Sequence, residues 1–300
     1  MSKLKSSELS VRPLTLACLQ DWFTFGIPPE EIDSRRKDLS DYLQANPDLA
    51  PETYLIAQRG EEIIGKMSGV LEPEGYIATR IRIAEGNDPQ YVASLFLSQV
   101  RKWGRLRALS WEGAEDLDWR DLLEKLGFEA VQEKPYFRRN IEGFVSPYED
   151  PFFYRSLKQL GESEFLKIFS GTYEANLNRN FNLASPETDF RSYLDSAGIL
   201  FDPDGWVAAF LQDQPAGIIL PQRYPDTPRD GTMMSLGLTP EFRKRGYGKI
   251  LHAKGLEILS KQGATGYVGS TDVENIPMIR VFLRNGCAQT RVRRVHQEKL

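Results

Sequence analysis

Cysteine and histidine are nearly missing from this chain of 300 residues: Cys18, Cys287, His252 and His296 are all it has. So few cysteines exclude a disulfide-stapled secreted scaffold. Without a C-x-x-C pair, and with only two histidines, there is no basis for a zinc site or a His-based triad, and no metal is expected. The cysteines read either as small buried hydrophobes or as a redox pair. Long apolar runs are also lacking. None approaches the roughly 18 residues of a membrane-spanning helix. Met1 to Arg12 is polar and has no apolar core of signal-peptide length. A cytoplasmic protein with no membrane contact is therefore expected. The net charge of −4 leaves no positive surplus for coating nucleic acid. What is present is the mixture of a soluble globular protein, 41% hydrophobic and 27% charged. At about 100–200 residues per domain, the length predicts two domains.

Two passes of the same element order run along the chain. In the first, strands are predicted near Leu9–Leu14, Tyr54–Ala57, Ile63–Leu71, Tyr76–Ala84, Leu106–Trp111 and Phe128–Arg138. Helical patterns cover Leu16–Phe25, Pro29–Gln44, Pro89–Trp103 and Trp119–Leu126. The stretch Glu142–Pro151 has no periodicity and reads as a linker, giving domains 1–145 and 150–300. The second pass predicts strands at Phe152–Leu157, Trp206–Leu211, Ala216–Gln222, Thr232–Leu238, Tyr267–Asp272 and the tail to Lys299. Its helices are Glu162–Ala175, Pro186–Ser196, Gly248–Gln262 and Ile276–Arg284. Gly65 and Gly217 hold the same place in the two hairpins, and Gly127 and Gly286 end the two short helices. Repetition on this scale indicates tandem domains.

The segment that carries chemistry is Met233–Gly248. An apolar strand ends at Leu238-Thr239-Pro240, and the cations Arg243, Lys244 and Arg245 follow, then Gly246, Tyr247, Gly248 and Lys249 at a helix start. Glycines let the backbone approach a ligand closely. The first amides of a helix lack intrahelical partners and sit at the positive end of its dipole. Together these suit a pyrophosphate, with Arg243, Arg245 and Lys249 adding charge-assisted contacts. By itself the loop is equally a basic turn before a surface helix. It is neither G-x-G-x-x-G nor a P-loop. In the helix, Leu251, Gly255, Ile258 and Leu259 share one face. Gly255 there permits close approach to a sheet, and His252 beside the stripe reads as structural.

Residues 232–287 resemble the GNAT superfamily of acyl-CoA-dependent N-acyltransferases. Arg243, Gly246 and Gly248 match its cofactor motif, and Asn275, Met278, Val281, Phe282, Arg284, Gly286 and Cys287 follow its downstream motif. The resemblance implies an α/β (α+β) fold of two tandem GNAT-like domains, each a mixed, mostly antiparallel sheet flanked by helices. It implies acetyl-CoA as co-substrate and a small-molecule or peptide amine as acceptor. Backbone groups of Leu236, Gly237 and Leu238 would hold the pantetheine arm, the amides of Arg245 to Lys249 the pyrophosphate, and Asn275 and Phe282 would lie at the cofactor. A backbone N–H near Leu238 would serve the oxyanion.

The family often uses a tyrosine as the acid for the departing thiolate. Phe282 stands there, and a phenyl ring has no proton to give. Tyr267, Asp272, Glu274 and Asp230 are the substitutes visible in sequence, each also readable as a solvated or loop-capping group. The first domain looks degenerate. Its corresponding segment is Ala84-Glu85-Gly86-Asn87-Asp88-Pro89, whose acids repel a pyrophosphate and whose proline removes an amide. The expected activity is transfer of an acetyl group to a primary amine from the second domain alone. The alternative is a non-catalytic acyl-CoA-binding regulatory or partner-docking protein.

Overall fold

The computed structural model describes residues 9–72, 75–112, 119–174, 177, 185–224 and 227–299. Met1–Glu8 of the polar start, and Ala175 at the end of an expected helix, lie outside these. The chain divides into two compact units: residues 1–133 with 293–300, and residues 134–292. The expected parting at 145–150 therefore falls inside the second unit. The stretch read as a linker is fastened there by single contacts, which leave no periodic trace. Phe144 N–H donates to Ser260 Oγ at 3.1 Å, Tyr148 Oη donates to Arg284 O at 3.2 Å, and the Phe144 ring packs on the unit's core.

The first unit runs β1 (Leu9–Pro13), a 3-10 segment (Leu16–Phe23), α1 (Ile32–Ala45), β2 (Tyr54–Arg59), β3 (Glu62–Glu72), β4 (Gly75–Ile83), α2 (Pro89–Val100), β5 (Arg105–Glu112), α3 (Arg120–Lys125) and the start of β6 (Phe128–Asn140). β1 to β4 are antiparallel neighbours and β5 joins β4 in parallel. The core lies between sheet and α2, where Val92, Phe96 and Leu97 meet Leu55, Ile64 and Met67. Gly65 makes this possible, since a Cβ there would come within 2.8 Å of Val92.

The second unit holds the end of β6, then β7 (Phe153–Ser156), α4 (Leu157–Leu160), α5 (Glu162–Gly171), α6 (Pro186–Ala197), β8 (Val207–Leu211), β9 (Gln214–Arg223), β10 (Asp230–Leu238), α7 (Tyr247–Lys261), β11 (Gly266–Ser270), α8 (Ile276–Arg284) and the start of β12 (Ala288–Glu298). The β8–β9 hairpin turns on Gln212 and Asp213, both left-handed (φ +50° and +61°), as a two-residue hairpin loop requires. One face of the sheet is covered by α5 and α6 through Phe165, Phe169 and Phe190, which pack with Trp206 just before β8. Burying rings of this size stabilises by about 2–3 kcal/mol each. The other face is covered by α7. Gly255 sits against β9, where a Cβ would fall 2.9 Å from Ile219.

Register shows the duplication more finely than the sequence. Gly65 pairs with Ile83, the last residue of β4, and Gly217 pairs with Leu238, the last of β10. Both hairpins shift register at the same place, so that Thr79 and Met234 are the extra residues. Beyond each strand, Ala84 N–H donates to Ile64 O and Thr239 N–H donates to Ala216 O, both at 2.9 Å. Gly127 and Gly286 close α3 and α8 with φ of +85° and +67°. Each unit is thus a mixed, mostly antiparallel sheet flanked by helices, and the second repeats the register of the first. No described helix is long and apolar enough to cross a membrane.

Candidate active site

In the second unit β10 and β11 start side by side and then separate. Their parallel pairing consists of Asp230 with Gly266 and Gly231 with Tyr267. β11 stays on β6 as far as Ser270, while β10 follows β9 to Leu238. The gap leaves the late edge of β10 unpaired on one side. Successive N–H groups of a strand point to opposite edges. Thr239 N–H points to β9, so the N–H groups of Leu238 and Leu236 face the gap. Leu236, Gly237 and Leu238 are all partly exposed. An extended amide-bearing chain laid in this gap would find a strand edge to pair with. Gly237 keeps the opposite face tight, since a Cβ there would lie 3.0 Å from Thr172.

The loop after β10 leads into α7. Phe242 is buried as its anchor, Lys244 is left-handed (φ +61°), and Gly246 is the N-cap at φ +83°. No side chain caps α7. Its first amides, from Tyr247 onward, have no intrahelical acceptors, and the dipole is positive there. Among the described residues, nothing lies within 4 Å of a Cβ built on Gly246. Gly248 answers to packing instead, its Cβ position being 3.3 Å from Val281 of α8. Arg245 is exposed over the Phe242 ring at 5.8 Å, and the Lys249 ammonium lies 4.8 Å from the Tyr148 ring.

Arg243 does something the sequence does not show. Its guanidinium donates to three backbone carbonyls: Leu238 O at 2.9 Å, Thr172 O at 3.0 Å and Glu174 O at 2.6 Å. It ties the end of α5 to the end of β10. Tyr173, between two of those acceptors, donates from Oη to Asp189 Oδ2 at 2.7 Å. Burial pushes the Tyr173 phenol well above its ordinary value. This Tyr173–Asp189 pair is a polar group near the end of β10 that sequence reasoning missed, because Tyr173 follows α5 and Asp189 lies on α6, with no shared motif.

The remaining candidates divide by position. Asp230 and Tyr267 lie in the paired stub of β10 and β11, roughly 25 Å of strand away from Leu238. Asp230 is ion-paired to Arg138 at 2.7 Å. Tyr267 is buried, its ring edge-on to His252 at 5.2 Å, and burial pushes its phenol well up. Asp272 and Glu274 follow the end of β11, on the same side as the loop; Asp272 is buried and Glu274 exposed. Asn275 caps α8, accepting from Met278 N–H at 3.3 Å and donating to Thr271 Oγ1 at 3.0 Å. Phe282 points into the core, stacked on Phe137 at 4.7 Å. His252 is buried and accepts at Nδ1 from Asn285, which also donates to Lys249 O at 3.0 Å. Burial holds its pKa down to about 3, with Arg139 adding to the effect. Cys18 and Cys287 are both free, and burial pushes the Cys287 thiol up to about 12.

The first unit has the same frame with its helix start closed by a side chain. Asp88 caps α2 and accepts at Oδ1 from Gln90 N–H at 3.0 Å and Tyr91 N–H at 3.3 Å, so its own carboxylate fills the place. By register, Arg82 stands where the second unit has Gly237.

The second unit thus has a sheet opened between parallel strands, with a glycine-led helix start at the opening. Residues 166–287, within the second unit, match the family model described as the Acetyltransferase (GNAT) family. Solved structures share the fold of the whole chain. A GCN5-related N-acetyltransferase from Sphaerobacter thermophilus is 13% identical with a TM-score of 0.72, covering 97% of this chain and 95% of its own. A tandem GNAT protein from the clavulanic acid biosynthesis pathway is 14% identical with a TM-score of 0.61, covering 97% and 98%. A GNAT-family acetyltransferase from Colwellia psychrerythraea is 10% identical with a TM-score of 0.59, covering 97% and 100%. No curated protein matches the chain in sequence.

Proposed function

We propose that the second unit transfers an acyl group, in the first place acetyl, from acyl-CoA to a primary amine, and that it does so alone. The observation that carries this is the contrast between the two helix starts. α7 opens on Gly246 with no side-chain cap, whereas α2 is closed by Asp88. The amides of Arg245 to Lys249 would hold the pyrophosphate, with Arg245 and Lys249 adding charge. The edge of Leu236 to Leu238 would take the pantetheine amides. Acyl-CoA supplies a carbonyl carbon activated by its thioester sulfur. The protein's part is to present Leu238 N–H to the carbonyl oxygen, exclude water and accept the amine's proton. Arg243 holds Thr172 and Glu174 at the strand end, and the Asp189 carboxylate, held by Tyr173, is the group we assign to that proton. With Phe282 turned into the core, the thiolate leaves without a ring hydroxyl; thiols are acidic enough for this, with a pKa of about 8.5.

The test uses two substitutions at one position. Gly246→Asn tolerates the left-handed backbone, whereas Gly246→Asp adds a negative charge of similar shape. Calorimetry with acetyl-CoA should show binding kept within severalfold by Asn and lost with Asp. Equal binding by both would remove the anion from this loop. Release of free thiol with a panel of amines tests turnover. Tight binding without release on any amine overturns the transferase reading.

A further inference from the structure

The first unit lacks a cofactor loop, yet it contains a cavity of about 390 Å³ between the Leu16–Phe23 segment, α1 and the sheet. Its lining includes Trp22, Tyr42, Tyr54, Lys66, Arg80 and Arg82. Register identifies what stands at the same positions in the second unit. Counting from the paired glycines, Lys66 corresponds to Ile218 and Ser68 to Leu220. Ile218 and Leu220 are fully buried in the aromatic core beneath α5 and α6. One copy thus fills this space with apolar side chains, and the other keeps it open and charged. The covering helices agree. α5 and α6 bury Phe165, Ile168, Phe169 and Phe190, whereas α1 buries none of its residues.

Keeping such a space has a cost. Losing a packed core of this kind is destabilising, and a buried ammonium must be solvated by the protein. Lys66 is 3% exposed and donates to Trp22 O at 2.5 Å and Phe25 O at 2.6 Å, 4.8 Å from the Phe25 ring. Arg35 pairs with Glu31, and Arg80 and Arg82 have protein partners of their own. The cations are therefore held in place in advance. Among the described lining residues there are four of them against one carboxylate, Asp38. The Trp22 and Tyr54 rings meet edge to face at 5.2 Å and form the apolar wall.

We propose that this cavity is a second ligand site, for a small organic anion (a carboxylate or a phosphate monoester) carried on a planar aromatic body. The volume lies in the range of ordinary small-molecule sites. Guanidinium groups match either head group, and the rings accept a flat body by offset or edge contact. The site lies wholly within the first unit and does not depend on the acyltransfer assigned to the second.

Calorimetry on the full chain, with saturating coenzyme A present, tests it. The probes are phenyl phosphate, 4-hydroxyphenylacetate, the neutral 4-hydroxyphenylacetamide and inorganic phosphate. At least one aromatic anion should bind more tightly than about 1 mM, with the amide and bare phosphate at least about tenfold weaker. Which of the two anions binds better assigns the head group. Ser68→Leu, which copies the second unit's Leu220, should fill the cavity and cut that binding by about tenfold or more. Arg80→Gln should weaken it without filling the space. Both variants should melt cooperatively and keep coenzyme A affinity. Equal binding of the amide, no binding of either anion, or binding unchanged by Ser68→Leu in the folded variant overturns the proposal. Loss of coenzyme A binding by Gly246→Asp leaves it standing, so the two assignments fail separately.

Discussion

Arg243→Ala removes three hydrogen bonds at once, those to Leu238 O, Thr172 O and Glu174 O. Bonds from charged donors contribute about 1.5–3 kcal/mol each when buried. Arg243 is half-buried, and its bond to Glu174 O is exposed, so about 1 kcal/mol each is the better figure. The expected loss is about 3 kcal/mol, which in a domain of this size lowers the melting temperature by roughly 6–12 °C. Lysine should not rescue it, because one ammonium cannot span three diverging carbonyls as a planar fork does. Arg245→Ala should do the reverse. That side chain is exposed over Phe242, so stability should hold while acetyl-CoA affinity falls by about three- to tenfold, one charged contact's worth. Differential scanning calorimetry and acetyl-CoA titration on the same samples separate the two. An Arg243→Ala protein with an unchanged melting temperature and tenfold weaker acetyl-CoA binding would show that the guanidinium serves the anion and that the clamp is unimportant.

Phe282→Tyr restores the family's motif residue but adds a hydroxyl inside the stack on Phe137. Turnover should not rise, and stability should drop by about 1–3 kcal/mol; a tenfold gain in kcat would refute the inward placement. His252 is held neutral by burial, with a pKa near 3 against an ordinary 6.5. The unfolded chain binds a proton below pH 6.5 that the folded chain refuses. Stability is therefore whole above that pH and declines toward pH 3, by up to about 1.4 kcal/mol per unit. His252→Gln should flatten the slope between urea melts at pH 7 and pH 5, and an unchanged slope would exonerate this residue. Asp230→Asn should leave kcat/KM untouched, since Asp230 sits in the closed stub with Arg138, whereas Asp189→Asn should lower it by about tenfold or more. Equal effects of the two on the amine-dependent rate would remove Asp189 from the mechanism.

How much of this was legible in the sequence follows from the kind of signal each feature leaves. The order of strands and helices was, and most boundaries fall within a few residues of the pattern. β8, β10 and α8 are examples. The parting of the units was not. Glu142–Pro151 is polar and aperiodic like a linker, but it is held by Phe144 and Tyr148 to groups more than a hundred residues away. The last residues, 293–300, belong to the first unit although the repeat pattern closes the second with them. Contacts of that separation leave no local trace. In the loop, Gly246 makes the left-handed turn into α7 that its place before a helix start suggests. The packing of Gly248 against Val281 of α8 joins residues far apart in the chain and leaves no local trace.

The proposed donor side is legible and the proposed acceptor side is not, because they would use different parts of the chain. The proposed donor edge and anion site would be made of backbone: N–H groups of Leu236 and Leu238, and amides at the start of α7. Backbone recognition needs glycine and a helix start at fixed spacing, and those survive as a motif. The proposed acceptor side would draw on side chains from separate segments after α5, on α6 and after β11, such as Tyr173, Asp189 and Asp272. No spacing ties these together. The first unit shows the complement of the same rule. Its frame repeats the register of the second down to the extra residue at Thr79, yet three side chains change what that frame can do. Asp88 fills the helix start, Arg82 replaces Gly237, and Lys66 replaces a core isoleucine. On the two proposals, a fold set by register and glycine would lose one site and open another while keeping its strand register.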